Sequence, residues 1–169
     1  MKTIYLVRHA KSSWEFTELP DQNRPLLEIG KKRTKKIIDF LVEKKTNPDL
    51  IISSSALRCK ETAGYIARGL SYPVNEIQIN PEIYHASLIS LFNLFYDLSN
   101  QYQSVMVVGH DPALTNFVNN FTKIPIDYIP TSGVVCIEFE TDNWDTIHNS
   151  EYTIKYMMYP KLLSRAKTT

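Results

Sequence analysis

Short, continuous runs of apolar residues mark the strands of this chain. Residues 4–7 form such a run and stop at the pair Arg8-His9, a pattern typical of a strand buried on both faces of a parallel sheet. Two further runs, at 49–53 and 105–108, have the same character. We expect additional strands in the following places: a short edge strand at 74–79 and two closing strands at 134–139 and 152–159.

Helical periodicity separates these runs. Apolar side chains three and four residues apart predict helices over 31–45, 56–70 and 87–98. In the first of these helices the predicted inward face carries Thr34, Ile37, Ile38, Leu41 and Val42. A fourth helix begins at Asp111-Pro112, where Asp111 is expected to be the cap and Pro112 to lie in the first turn.

The alternation of strands and helices predicts a three-layer α/β/α domain with a mixed, mainly parallel sheet. We treat residues 1–169 as one domain, because no repeat, low-complexity tract or linker divides them. In such folds the ligand site lies beyond the carboxyl ends of the strands. Arg8 and His9 follow the first strand. Arg58 follows the second and His110 the third, so the four side chains are expected to meet at one edge of the sheet.

The composition is that of an ordinary globular protein. Of 169 residues, 43% are hydrophobic and 22% are charged, which excludes collagen-like, coiled-coil and largely disordered classes. The formal net charge is +1, so no global field attracts nucleic acid or an anionic membrane. Two cysteines are too few for a disulfide scaffold, and no apolar segment approaches the roughly 20 residues that cross a bilayer. We therefore expect a cytoplasmic protein with no nucleic-acid or membrane partner.

Two arginines and two histidines at one sheet edge suit a phosphoryl group. Guanidinium groups bind phosphate oxygens in pairs and keep their charge. An unprotonated imidazole can attack phosphorus and divide hydrolysis into two steps through a phosphohistidine, and the charges of Arg8 and Arg58 would lower its pKa. The second histidine, as an imidazolium, would stabilise charge on the transferring group. Each residue alone has a plain structural explanation, so it is their convergence that indicates a site.

Three motifs, in this order along the chain, resemble those of the histidine phosphatase superfamily. Residues 6–12 (L-V-R-H-A-K-S) are similar to its N-terminal R-H-G signature. Residues 53–63 (S-S-S-A-L-R-C-K-E-T-A) are similar to its S-x-x-x-R-x-x-x-T-A block, and residues 107–112 (V-V-G-H-D-P) to its V-G-H-N-P block. The chain length, the R-H-A-K-S variant and the D-x-x-R-P-L segment at 21–26 resemble the short SixA-type phosphohistidine phosphatases in particular.

The resemblance implies a role for each matching residue. His9 would be the nucleophile that becomes phosphorylated. Arg8, Arg58 and His110 would bind the phosphoryl group and stabilise it during transfer. The chain also departs from the family pattern at two positions, with alanine at 10 in place of the usual glycine and aspartate at 111 in place of asparagine. The aspartate would bring a negative charge near the site unless its carboxylate turns to cap the helix.

The resemblance leaves the general acid open between two carboxylates. Many family members use a glutamate after the third strand region, and Glu82 is the positional candidate there. For the short SixA-type members the alternative is an acid from the first loop, where Asp21 is the best match. A dedicated acid matters less for a phosphohistidine substrate, because its imidazole leaves readily once the ring is protonated.

Two basic segments have simple structural interpretations. We interpret the basic residues of 31–36 as a solvated helix face rather than a nucleic-acid site, because the apolar residues lie on the opposite side. A secondary hypothesis is that this face guides an acidic protein partner. The basic tail with Lys161, Arg165 and Lys167 is expected to be frayed.

A metal site is the remaining alternative for the histidines. His85 either lines the pocket or joins His9, His110 and Asp111 as a ligand. No close ligand spacing supports a metal, and two arginines beside the histidines argue against one. We therefore expect neither metal nor cofactor.

Taken with the resemblance, the sequence predicts a metal-independent phosphatase that forms a phosphohistidine on His9. The short chain leaves little room to enclose a small substrate, which favours phosphohistidine on a protein, such as a signalling domain. One alternative is a phosphatase of a small phosphorylated metabolite. Another is a non-catalytic phosphoryl-binding module, although binding alone does not require a positioned nucleophile.

Overall fold

The computed structural model describes residues 1–15 and 17–166, and within them six strands form one sheet. In chain order the strands are β1 (Lys2–Arg8), β2 (Leu50–Ser53), β3 (Gln78–Ile79), β4 (Ser104–Gly109), β5 (Val134–Phe139) and β6 (Tyr152–Met158). Their order across the sheet is β3-β2-β4-β1-β5-β6. The first four strands in this order are parallel, whereas β5 is antiparallel to both β1 and β6. The prediction of a mixed, mainly parallel sheet is confirmed.

Helices cover both faces of this sheet. They are α1 (Glu28–Glu43), α2 (Leu57–Gly69), α3 (Leu88–Tyr96), α4 (Ala113–Asn119) and α5 (Pro160–Ala166). α1, α2 and α5 pack on one face, and α3, α4 and a 3-10 helix at Trp144–Asn149 pack on the other. The three-layer α/β/α class is therefore confirmed. Within the described ranges, no helix combines the length and the apolar character that a membrane span requires.

The continuous apolar strands serve two separate cores. Successive side chains of a strand point to opposite faces, so a central strand without polar positions needs a helix layer on each side. In β4, Val105 and Val107 pack in the cluster under α3 and α4, while Met106 and Val108 pack in the cluster under α1 and α2. All four side chains are fully buried.

The inward face of α1 differs in part from the predicted one. The helix begins three residues earlier than expected, at Glu28, and Phe40 is buried in place of Val42, which is 52% exposed. The Phe40 ring packs edge-on against Tyr156 of β6, with 5.0 Å between ring centroids. This contact belongs to a strand more than a hundred residues away, so the local helical period does not indicate it.

Two further segments differ from expectation. The predicted strand at 74–79 is a 3-10 helix at Val74–Glu76, and only Gln78–Ile79 pairs with β2. The tail expected to be frayed forms α5, where Leu163 packs against the core under α1. Lys167 lies outside the described residues.

Candidate active site

The carboxyl ends of β1, β2 and β4 form one edge of the sheet, as the strand pattern predicts. Arg8 pairs with Gly109 across the ladder, and the His9 backbone N–H donates to the Gly109 carbonyl at 3.0 Å. The rings of His9 and His110 lie 5.4 Å apart between centroids. From the first turn of α2, Nη2 of Arg58 lies 3.4 Å from Nδ1 of His110. The structure thus brings the four predicted side chains together.

The ring of His9 is held in one tautomer with a free nitrogen. Its Nδ1–H donates to the carbonyl of Ala10 at 2.8 Å, which leaves Nε2 unprotonated with its lone pair available. Burial lowers the pKa of His9 to about 4, the Ala10 hydrogen bond opposes this, and the charges of Arg58 and Arg8 lower it further. Burial, rather than the arginines that the sequence indicates, is therefore the larger reason why His9 is neutral.

Each of the two arginines is held by a hydrogen bond to a backbone carbonyl, and each keeps an Nε–H group without an acceptor among the described residues. Nη1 of Arg8 donates to the carbonyl of Ile129 at 2.7 Å. Nη1 of Arg58 donates to the carbonyl of Asp21 at 2.9 Å. The Nε atoms of both arginines are buried and have no acceptor among the described residues. Buried donors without acceptors are rare in folded proteins, and an oxyanion would satisfy these two.

The second histidine is neutral rather than cationic. Its Nδ1 accepts from Arg58, so its Nε2–H donates to Oγ of Ser54 at 2.8 Å. Burial lowers the pKa of His110 to about 3, and the neighbouring His9 and Arg58 lower it further. The imidazolium expected from the sequence is therefore not the form that this arrangement favours, and the ring instead orients Arg58.

Asp21 joins the site as an ionised carboxylate. Its Oδ1 accepts from Nε of Arg24 at 2.9 Å, and its Oδ2 accepts from Nη2 of Arg58 at 3.1 Å and from the Tyr84 hydroxyl. Burial raises the pKa of Asp21, but the hydrogen bonds of Tyr84 and Arg24 and the charge of Arg58 outweigh burial and hold the pKa below its usual range. An ionised carboxylate has no proton to donate, so this geometry suits positioning of Arg58.

Glu82, the other candidate acid, is exposed on the 3-10 helix at Pro81–Ile83. Its backbone N–H donates to Oδ1 of Asn80, and its carboxylate has no hydrogen bond or ion pair within residues 1–15 and 17–166. The structure therefore connects Asp21 to the histidines and arginines, and gives Glu82 no such connection.

Both departures from the family pattern fit into the site. Ala10 is fully buried and acts through its backbone, since its N–H donates to Oγ1 of Thr62 at 2.9 Å and its carbonyl accepts from His9. The carboxylate of Asp111 accepts from both the backbone and the hydroxyl of Thr115 in α4, and its Oδ2 also lies 3.7 Å from Nη1 of Arg8, so its negative charge stays beside the site. Pro112, and not Asp111, occupies the N-cap position, but the carboxylate still satisfies a backbone donor of the helix.

Three residues complete the site beyond the predicted ones. Thr62 accepts from Ala10 and donates to the Arg58 carbonyl at 2.7 Å, which ties the loop after β1 to α2. Oγ of Ser54 accepts from His110. Thr62 and Ser54 both lie in the second motif, residues 53–63, so the sequence did carry a signal for them. The Tyr84 hydroxyl donates to Oδ2 of Asp21, which lies 63 positions away in the sequence, and no local sequence pattern predicts that contact.

Two competing chemistries find no support at this edge. Sγ of Cys59 lies 3.5 Å from Nε2 of His110, but burial raises the pKa of the Cys59 thiol to about 12, which keeps it protonated and a poor nucleophile. Among the described residues, no three His, Cys, Asp or Glu side chains are grouped to hold a metal ion. His85 is exposed and packs against the ring of Tyr84, 4.2 Å between centroids.

The family comparison covers nearly the first half of the chain. Residues 4–84 match the family model of the histidine phosphatase superfamily, branch 1. An uncharacterized chloroplastic protein of Arabidopsis thaliana is 39% identical over 61 residues, which are 36% of this chain and 28% of that protein. The chain thus matches little more than a quarter of that relative's length.

Solved structures resemble the chain over nearly its whole length. A SixA protein of Agrobacterium tumefaciens, assigned as a phosphohistidine phosphatase, is 26% identical, with 94% of this chain and 98% of that one covered at a TM-score of 0.79. A protein histidine phosphatase SixA complexed with tungstate is 20% identical, with coverages of 95% and 99% and the same TM-score. A protein of Escherichia coli assigned as an α-ribazole-5'-P phosphatase shares the fold at 14% identity, with coverages of 95% and 97% and a TM-score of 0.68.

Proposed function

The chain belongs to the histidine phosphatase superfamily, and we propose that it is a metal-independent phosphatase that removes phosphate from phosphohistidine on a protein. The observation that carries the proposal is the orientation of His9. Its Nδ1–H bond to Ala10 leaves Nε2 unprotonated, and the charges of Arg8 and Arg58, whose Nε donors have no acceptor among the described residues, act on the same ring. A neutral imidazole among cationic donors is suited to attack a phosphoryl dianion.

The reaction takes two displacements at phosphorus. Nε2 of His9 attacks the phosphoryl group, the P–N bond of the substrate breaks, and the substrate imidazole leaves with the electron pair and a proton. Water then attacks phosphorus, the bond to His9 breaks, and inorganic phosphate leaves. The guanidinium groups of Arg8 and Arg58 hold the oxygens in both steps. A bound dianion favours protonation of His110, because an opposite charge raises the pKa of a neighbouring imidazole.

The protonation of the site supports a phosphoramidate over an ester. An ester oxygen needs a proton from an acid as it leaves. The Asp21 carboxylate is ionised, and Glu82 makes no contact with the cluster within the described residues. A phosphohistidine carries a ring that solvent protonates before the bond breaks, so it does not depend on an enzyme acid. A small phosphorylated metabolite, which is commonly an ester, lacks that advantage.

The proposal is tested by comparing substrates with chelator present throughout. Wild type is assayed on a synthetic phosphohistidine peptide, an aryl phosphate and a sugar phosphate, with His9→Ala as the matched control. We expect the highest kcat/KM on the phosphohistidine peptide and no turnover by His9→Ala. A higher kcat/KM on the sugar phosphate would favour the metabolite phosphatase instead. Activity that appears only after metal is added would contradict the metal-independent mechanism.

A further inference from the structure

A basic groove of about 1100 Å³ opens between α1, α5 and the loop of residues 125–131. It is defined here by its charged lining, in which five basic residues face one acidic residue: Lys32, Arg33, Lys36, Lys161 and Arg165 against Asp127. The net charge of the whole chain is only +1. Positive charge is therefore concentrated in this groove, where it raises the local concentration of anionic partners.

The basic groove shares a wall with the candidate active site. Pro130 and Thr131 line the groove. The residue before them, Ile129, accepts the hydrogen bond of Arg8 Nη1 at 2.7 Å. The residue after them, Ser132, donates its N–H to the carbonyl of His9 at 3.2 Å. The segment 129–132 therefore connects the candidate active site to the lining of the groove.

The basic residues of α1 differ in whether they form an ion pair within the helix. Lys31 and Lys35 point away from the groove lining and each pairs with a carboxylate of the same helix, at 2.7 and 3.0 Å. Lys32, Arg33 and Lys36 line the groove and form no ion pair with a residue in the described ranges, although Nζ of Lys36 donates to Oγ of Ser164 in α5 at 2.6 Å. Like charges on one helix face repel each other, and an acidic partner that covers them relieves this repulsion.

The lining also distinguishes a polypeptide from a polynucleotide. Ile29 and Tyr128 line the groove and are 43% and 59% exposed, which gives apolar area for side chains between acidic residues. Asp127 places a carboxylate in the groove, where it repels a continuous run of phosphates and accepts an occasional basic side chain. The combination fits an acidic segment of protein.

We propose that the basic groove docks an acidic segment of the phosphorylated protein, on the same chain as the phosphohistidine. This inference rests on the proposed function of the site. Residues 29–36 of α1 rise about 10 Å, and an extended peptide advances about 3.3 Å per residue. Acidic residues about three to eight positions from the phosphohistidine sample roughly 10–26 Å of extended chain, which allows for the length of about 10 Å of this part of α1.

The test uses two phosphohistidine peptides of equal length. One carries four glutamates at three to eight positions from the phosphohistidine, and the other carries four glutamines at the same positions. Two variants of the full chain are matched in the charge they remove and in spacing: Lys32→Gln/Lys36→Gln inside the groove and Lys31→Gln/Lys35→Gln outside it. We expect the groove variant to lose roughly tenfold in kcat/KM on the acidic peptide, mainly through KM, because each exposed ion pair contributes up to about fivefold in affinity.

The same variants are expected to hydrolyse the glutamine peptide as wild type does, and the outer variant is expected to keep its preference for the acidic peptide. An equal loss of kcat/KM in both variants would contradict docking in the groove, because the effect would then come from net charge alone. So would equal kcat/KM of wild type on the two peptides.

A binding measurement separates the groove from the chemistry. The unphosphorylated acidic peptide, labelled for fluorescence anisotropy, is titrated with wild type and both variants at two salt concentrations. Binding that the groove variant alone weakens, and that salt weakens further, supports docking even if no phosphohistidine is hydrolysed, in which case only the proposed function fails. Tighter binding of a single-stranded oligonucleotide of equal length would contradict the proposal, because the groove would then prefer nucleic acid to a polypeptide.

Discussion

At the scale of single residues, the site depends on which atoms carry protons. The backbone of Ala10 fixes the tautomer of His9, and burial holds the pKa of that ring well below its ordinary value. The pKa of His110 is lower still, because burial lowers it and the neighbouring His9 and Arg58 lower it further. Burial, together with the charges of Arg58 and Arg8, keeps the nucleophile neutral at the pH values where a free histidine begins to gain a proton.

We predict that His9 remains neutral when the free enzyme is acidified from pH 7 to pH 5. Its pKa of about 4 means that the folded state binds fewer protons than the unfolded chain between about pH 6.5 and 4, so acidification over this range also lowers the free energy of unfolding. Nitrogen chemical shifts of the imidazole, assigned with His9→Ala, measure the titration. Protonation of His9 near pH 6.5 would contradict the account.

Asp21→Asn is predicted to lower kcat/KM by about tenfold, because it weakens a charge-assisted hydrogen bond to Arg58. A positioning residue affects all substrates alike, so the loss is expected to be equal for esters with good and poor leaving groups. Glu82→Gln is the matched control, for which we expect wild-type activity. A loss with Asp21→Asn that grows as the leaving group becomes more basic would identify Asp21 as the general acid instead.

At the scale of elements, the loop after β1 is held against two helices. The Leu27 N–H donates to the carbonyl of Lys11 at 2.9 Å, and Thr62 of α2 accepts from Ala10. Gly30, in the first turn of α1, allows this close approach, since a Cβ there would collide with the Lys11 carbonyl. The glycine therefore matters for the loop that carries His9, and not only for the helix.

Gly30→Ala is predicted to lower the free energy of unfolding by about 1–3 kcal/mol and to reduce activity, because the loop must move away from α1. Gly64→Ala is the control on α2, where the nearest atom to the new Cβ is the flexible Arg68 guanidinium at 3.6 Å. There we expect unchanged or slightly higher stability, by up to about 1 kcal/mol, and full activity. Urea denaturation and steady-state rates measure both, and equal effects of the two alanines would contradict the account.

At the scale of the whole molecule, the parallel strands of the fold bring distant motifs to one edge. Runs such as 105–108 predict these strands, because burial on both faces removes every polar position. The same reasoning places Arg58 and His110 beside His9. Contacts between distant segments are not visible in this way, which is why Phe40 of α1, Tyr84 and the helix α5 had to be found in the structure.

The protonation of the site was also only partly accessible from the sequence. The motifs indicate which groups meet, and the signs of their charges suggest a lowered pKa for His9. Burial is the larger cause, and it depends on packing from several elements. Burial likewise lowers the pKa of His110 and keeps that ring neutral. Burial also raises the pKa of Asp21, which is ionised because three side chains donate to its carboxylate.

The central claim is a phosphoryl group carried on Nε2 of His9, and trapping it is the most direct test. Wild type and His9→Ala are mixed with a phosphohistidine peptide and chelator, quenched in alkali within the first turnover, and digested for mass spectrometry. We predict phosphorylation of the peptide that contains His9 in wild type, appearing and decaying at rates compatible with turnover, and none in the variant. Turnover by His9→Ala, or a phosphoryl group found only on another residue, would contradict the account.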